Sequence, residues 1–121
     1  MILYDTSAVL MDLAEGKLLS GYILDLTIYE VANALRTAVQ VKRIMSTAQA
    51  NAILRAFVLQ DLHVLRIQPE HLAEIERLAL ELNITAYDAA YIYFALKNNL
   101  DLYTRDRKLQ RAWKHARSNN D

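Results

Sequence analysis

The chain has 121 residues, 54% hydrophobic and 23% charged, with fourteen Lys+Arg against fourteen Asp+Glu and no cysteine. The length points to one domain over residues 1–121, and the composition excludes a disordered chain. The missing cysteine excludes disulfide frameworks, thiolate zinc sites and cysteine nucleophiles.

No apolar run reaches the length of a transmembrane helix, so no membrane association is expected. Met1-Ile2-Leu3-Tyr4-Asp5 has no basic segment leading into a long apolar one. A signal peptide is therefore not expected, and the cytoplasm is the expected compartment. The neutral total hides an asymmetry. Six of the fourteen basic residues fall within 105–121, together with two acids, so a weakly acidic body carries a basic tail. Such a tail suits either a solvated last helix or a phosphate backbone.

Ile2-Leu3-Tyr4 reads as a buried strand, and Ser7 to Glu15 as a helix ended near Gly16. Tyr22-Ile23-Leu24 is a second strand. From Thr27 to about Arg43, Ile28, Val31, Leu35, Ala38 and Val39 recur at helical spacing. Ser46-Thr47-Ala48-Gln49 is a capping-box pattern opening a helix with Ile53, Leu54, Phe57 and Val58 on one face. His63 to Ile67 is a third strand, and Pro69 suits the first turn of a helix carrying Leu72, Ile75, Leu78, Ala79 and Leu82. Thr85 to Lys97 is a helix apolar nearly all round. Leu100 to Thr104 is a fourth strand, and Asp106 to about Arg117 a last amphipathic helix. Strands alternating with helices predict an α/β fold with a parallel sheet.

Four acids fall at related places in that pattern. Asp5 follows the first strand, and Asp106 follows the fourth. Glu30 and Asp88 lie in first turns of helices. In a parallel sheet these positions share the carboxyl edge, where open α/β folds bind ligands. Each acid alone also suits a helix N-terminus, and Thr27-x-x-Glu30 and Thr85-x-x-Asp88 resemble capping boxes. Asp88 weakens the capping account. Its helix carries no other charge before Lys97, and an ionised carboxylate there is costly unless paired or metal-bound. Mg²⁺ or Mn²⁺ takes carboxylate oxygens and supports phosphodiester cleavage by activated water.

Asp5-Thr6-Ser7, Thr27-x-x-Glu30-Val31-x-Asn33-Ala34-Leu35, Thr85-Ala86-Tyr87-Asp88-Ala89-Ala90-Tyr91 and Leu102-Tyr103-Thr104-Arg105-Asp106-Arg107-Lys108-Leu109 together resemble the PIN domain, more narrowly the VapC-type toxins of prokaryotic toxin–antitoxin pairs. The resemblance covers essentially the whole chain. It implies a three-layer α/β/α fold with a short parallel sheet of four strands, or five where the family's last strand forms. It also implies a metal-dependent endoribonuclease whose Asp5, Glu30, Asp88 and Asp106 are catalytic and hold Mg²⁺ or Mn²⁺. A cognate antitoxin and a homodimer are the implied protein partners, with RNA as substrate.

Ser7 and Thr104 are hydroxyls beside acids, and Asn33 shares the helix face of Glu30; all three are candidates to support the ligands. Arg105, Arg107, Lys108, Arg111 and Lys114 are candidates to hold the RNA backbone. Tyr29, Tyr87, Tyr91 and Tyr93 suit core or dimer contacts, with base stacking as the alternative. His63, His71 and His115 show no ligand spacing, and Trp113 reads as a packing anchor. Two rival readings remain. A response-regulator receiver would need an Asp where this chain has Arg66-Ile67-Gln68-Pro69-Glu70, and a late-strand Lys that is absent. A non-enzymatic PIN-like module binding RNA or protein, its acids merely capping helices, is the other.

Overall fold

The computed structural model describes residues 1–120. Four short strands, β1 (Ile2–Tyr4), β2 (Ser20–Leu24), β3 (Asp61–Leu65) and β4 (Asp101–Tyr103), form a fully parallel sheet in the order β3-β2-β1-β4. Around it lie α1 (Thr6–Ala14), α2 (Asp25–Gln40), α3 (Thr47–Val58), α4 (Leu72–Leu82), α5 (Ala86–Lys97) and α6 (Arg107–Asn120). A single 3₁₀ turn at Pro69–His71 leads into α4.

Strand alternation sorts the core into two halves. Leu3, Leu24 and Leu102 face α4, α5 and α6, whereas Tyr4, Ile23 and Tyr103 face α1, α2 and α3. The register keeps like with like, Leu3 beside Leu102 and Tyr4 beside Tyr103. Helix α5 has almost no amphipathic bias because it is buried on most sides, with Ala89, Ala90, Tyr91, Ile92, Phe94 and Ala95 all enclosed. Each fully enclosed leucine or isoleucine contributes about 1.5–3 kcal/mol. Between β1 and β2 the backbones come unusually close. A Cβ on Gly21 would stand 2.5 Å from the Ile2 carbonyl oxygen, so only glycine fits there.

Three element expectations shift. Helix α2 starts at Asp25, straight out of β2, so Thr27 lies inside the helix rather than capping it. Strand β3 runs Asp61–Leu65 instead of His63–Ile67, because its pairing with β2 sets the phase of an ambiguous alternation. Val58, expected on the apolar face of α3, is 79% exposed at that helix's last turn. The sheet has four strands among the described residues.

Candidate active site

Parallel pairing brings the ends of β1, β2 and β4 to one edge, and the chain supplies polar groups at each. Asp5 leaves β1 and caps α1: its Oδ1 accepts from the Ala8 amide at 2.9 Å and from Ser7 Oγ at 2.8 Å. Its Oδ2 accepts from Thr104 Oγ1 at 2.6 Å. Thr104 Oγ1 in turn accepts from the Asp106 amide at 3.0 Å, and Ser7 Oγ from the Arg105 amide at 2.9 Å. The loop after β4 is thus fastened to the carboxylate that follows β1. Asp106 accepts from the Lys108 amide at 2.9 Å and so caps α6.

Glu30 approaches from α2. Thr6 Oγ1 donates to Glu30 Oε1 at 2.6 Å, and Tyr91 Oη donates to the same oxygen at 3.0 Å. Thr27 Oγ1 stands 2.6 Å from Tyr91 Oη; with the phenol proton directed at Glu30, Thr27 is the donor. Asp88 sits half-buried in the first turn of α5, where Thr85 caps the helix by accepting from the Asp88 amide at 3.1 Å. The capping hydroxyl uses Asp88's backbone, and no donor among the described residues binds its carboxylate.

The electrostatics follow from this arrangement. Burial pushes the Asp88 carboxyl above the ordinary aspartate pKa, and the charges of Asp106, Asp5 and Glu30 push it further, against a smaller pull from Lys108. Asp5 is also raised, by burial first, with its hydrogen bonds from Thr104, Ala8 and Ser7 opposing and Asp106 adding to the rise. Burial likewise holds the Tyr91 phenol protonated, as its donor role requires. Among the described residues no three acids or histidines are drawn close enough to share one ion. The donor set itself is four carboxylates under mutual repulsion, the chemistry that a hard divalent cation relieves.

Four expectations change in three dimensions. Asp88 is half-buried at the open end of its helix rather than enclosed by it, and the charge of Lys108 on α6 is felt there without a direct ion pair. Arg105 is drawn away from the four acids. Its guanidinium donates to Asp12 at 2.6 Å and to Glu15 at 2.7 Å, and its Nε to Tyr103 Oη at 2.9 Å. Tyr29 and Tyr87 are 77% and 61% exposed, immediately before Glu30 and Asp88 in the chain, which removes them from the core and leaves dimer contact and base stacking as their readings. Asn33 is exposed and bonds none of the acids. Arg107, Lys108, Arg111 and Lys114 are exposed along α6. His71 is satisfied, accepting from the Gln68 amide at 2.9 Å, and Trp113 is a buried anchor.

The bonds of Thr6 and Tyr91 to Glu30, and of Thr27 to Tyr91, are roles that the sequence pattern does not assign. A signal for Tyr91 is present in its spacing, three residues beyond Asp88 on one helix face.

The fold and this edge can be set against known proteins. The PIN domain family profile matches residues 2–114. The chain belongs to the PIN domain family. It is 40% identical over 87 residues to Exonuclease VapC9 of Pyrobaculum aerophilum, a match that takes in 72% of this chain and 62% of that relative. The chain therefore matches less than two thirds of that relative's length. The crystal structure of PAE2754 from Pyrobaculum aerophilum superposes with a TM-score of 0.77 at 34% identity, covering 93% of this chain and 79% of the other. The parallel sheet between two helical layers is thus the PIN domain fold, and the acids stand at its carboxyl edge.

Proposed function

We propose that this PIN domain is a metal-dependent endoribonuclease and the toxin of a toxin–antitoxin pair. The observation that carries the reading is Asp88, a half-buried carboxylate with no hydrogen-bond donor among the described residues, raised by burial and then by three neighbouring acids, on a site whose oxygens suit Mg²⁺ or Mn²⁺. A divalent cation, on drawing Asp5, Glu30, Asp88 and Asp106 closer together than they stand without it, would supply an activated water and stabilise the leaving oxygen of an RNA phosphodiester. The chain's own groups preorganise that site. Ser7 and Thr104 hold both oxygens of Asp5, while Thr6 and Tyr91 hold one oxygen of Glu30 and leave the other for a ligand. Asp88 keeps both oxygens available. The acids repel phosphate on their own, so neutralising charge must accompany RNA, and the basic face of α6 stands beside them.

The curated relative carries the name exonuclease. A circular single-stranded RNA has no end, so its cleavage separates internal cutting from trimming. The purified protein is expected to open circular RNA with Mg²⁺ or Mn²⁺, to stop in EDTA, and to lose the activity in Asp88→Asn. Trimming of linear RNA alone would replace the endonuclease reading by an exonuclease one. No cutting of either RNA with any divalent ion would leave a non-enzymatic binding module. A homodimer and an antitoxin encoded beside this chain are the partners of the proposed toxin, read by light scattering and by co-expression.

A further inference from the structure

We propose that the cleft between α6 and the turn joining α4 to α5 is an RNA subsite, binding one nucleotide next to the scissile position through Lys108, Arg111 and His115. The proposal rests on the nuclease reading for its ligand class and adds a location that separates the tail's cations into those that bind and those that do not.

Lys108, Arg111 and His115 recur at i, i+3 and i+7, so they share one face of α6, and all three line a cleft of about 410 Å³. The opposite wall is Asn83 and Ile84, where Asn83 adopts a left-handed conformation with φ 54° to end α4 and turn the chain towards α5. That turn leads within a few residues to Asp88. Lys108 stands at the end of the cleft nearest the acids, since its backbone amide donates to the Asp106 carboxylate at 2.9 Å. His115 lies seven residues further along the helix, about 10 Å away.

The lining has the chemistry of a single nucleotide. The cations at Lys108 and Arg111 suit phosphate, Arg by its planar fork. Leu82, Ile84 and Ala112 give the cleft an apolar floor, and the imidazole of His115 offers a flat face on which an unpaired base can stack. Glu81 lies on the rim, but its carboxylate is bound to Arg77 at 2.8 Å. Arg107, Lys114 and Arg117 do not line the cleft. A solvated tail acting only as diffuse charge would make no such distinction among its cations.

Binding of a short fluorescent single-stranded RNA in EDTA reads the cleft without cleavage. Lys108→Gln/Arg111→Gln is expected to flatten the plot of log affinity against log salt by roughly 1.4, about 0.7 for each of the two phosphates that flank the bound nucleotide. Lys42→Gln/Arg55→Gln removes the same charge from the α2–α3 side, across the sheet, and is expected to leave the slope unchanged. His115→Ala is expected to weaken binding roughly tenfold and His115→Phe to restore it, as stacking requires. Equal flattening by the two charge pairs, equal weakness of the two His115 variants, or no RNA binding at all overturns the proposal. RNA held in the cleft but never cut with Mg²⁺ or Mn²⁺ keeps the subsite and removes the nuclease. Cutting with unchanged KM in Lys108→Gln/Arg111→Gln keeps the nuclease and removes the subsite.

Discussion

Tyr91 donates its phenolic hydrogen to Glu30 Oε1 at 3.0 Å, joining α5 to α2 across sixty-one residues of chain. Thr6 donates to the same oxygen and Thr27 supports the phenol from behind, so the Glu30 carboxylate is fixed on one side only. Burial keeps the phenol protonated and the bond directional. A carboxylate held in this way presents its second oxygen in a set direction, which is what a ligand site requires.

Tyr91→Phe keeps the ring in the core and removes this donor. The expected cost in stability is about 1–3 kcal/mol, because Thr27 also loses its acceptor. Metal affinity is expected to fall roughly 10–100-fold. Titration of Mn²⁺ by calorimetry reads the affinity, and a urea melt of the metal-free protein reads the stability. An unchanged Mn²⁺ affinity would make Tyr91 a core residue and nothing more.

Asp88→Asn keeps the shape and removes the repelled charge. In the metal-free protein it is expected to be neutral or stabilising, since the carboxylate lacks a donor and faces three acids. Mn²⁺ should stabilise the wild type by about 2.7 kcal/mol at roughly 100 times its dissociation constant, and the variant by much less. Thermal melts with and without Mn²⁺ measure both effects. Equal metal-induced shifts would return Asp88 to the role of a first-turn acid on a capped helix.

The same groups fix a pH dependence. Asp88 and Asp5 have folded-state pKa values above their ordinary value of 3.8, so the folded chain holds those protons longer than the unfolded one. Their contribution is present below pH 3.8 and lost as pH rises through the raised values. Glu15 acts in the opposite direction: Arg105 and Lys17 lower it to about 2, so its contribution is lost as pH falls below its ordinary 4.5 towards that value. Metal-free Asp88→Asn should therefore gain on wild type as pH climbs from 3.8 through the raised pKa of Asp88. Paired urea melts across that range provide the check, and a constant difference would remove the repulsion argument.

The halves of the core were readable because neighbouring strand residues alternate faces. Leu3 and Tyr4, Ile23 and Leu24, and Leu102 and Tyr103 are adjacent apolar pairs, each serving both layers of a doubly covered sheet. The positions of Asp5, Asp88 and Asp106 were readable for a related reason, since ends of strands and starts of helices are marked locally. The start of α2 was not. Thr27-x-x-Glu30 imitates a cap, whereas Asp25 opens the helix and holds the Ile67 amide at 3.2 Å, a contact forty-two residues away. Nor was the partner of Arg105. Asp12 and Glu15 are about ninety residues earlier, and the pairing exists only because β4 lies beside β1.

That pairing makes Arg105 a clamp between α1 and the loop carrying Thr104 and Asp106. Asp12 is buried at 5% exposure and receives Arg105 at 2.6 Å and Tyr103 Oη at 3.1 Å. Arg105→Ala leaves a buried carboxylate with Tyr103 Oη but without its cation and is expected to destabilise the fold. The exposed Glu15 contact adds little. Adding Asp12→Asn should recover part of the loss by removing the stranded charge. A double-mutant cycle in urea measures this coupling, and additive losses would show that the two side chains do not act together.

Because Arg105 is engaged by Asp12 and Glu15, it is turned away from the four edge acids, and Lys108 is the cation that eases Asp88. A protein inhibitor can exploit that imbalance. An Arg placed against Asp88 would pair bidentately with a carboxylate that accepts no other hydrogen bond among the described residues, and would keep both metal and phosphate away. The expected antitoxin therefore carries a basic side chain that reaches this edge. Its Arg→Ala variant should still bind this chain through its remaining contacts but inhibit RNA cleavage less, with the deficit largest at low Mg²⁺ or Mn²⁺. The chain alone should arrest growth, and co-expression with the neighbouring gene product should relieve it. RNase assays with wild-type and Arg→Ala inhibitor at matched occupancy measure the difference. Harmless expression of active, metal-loaded protein without any partner would sink the toxin assignment and leave the nuclease standing.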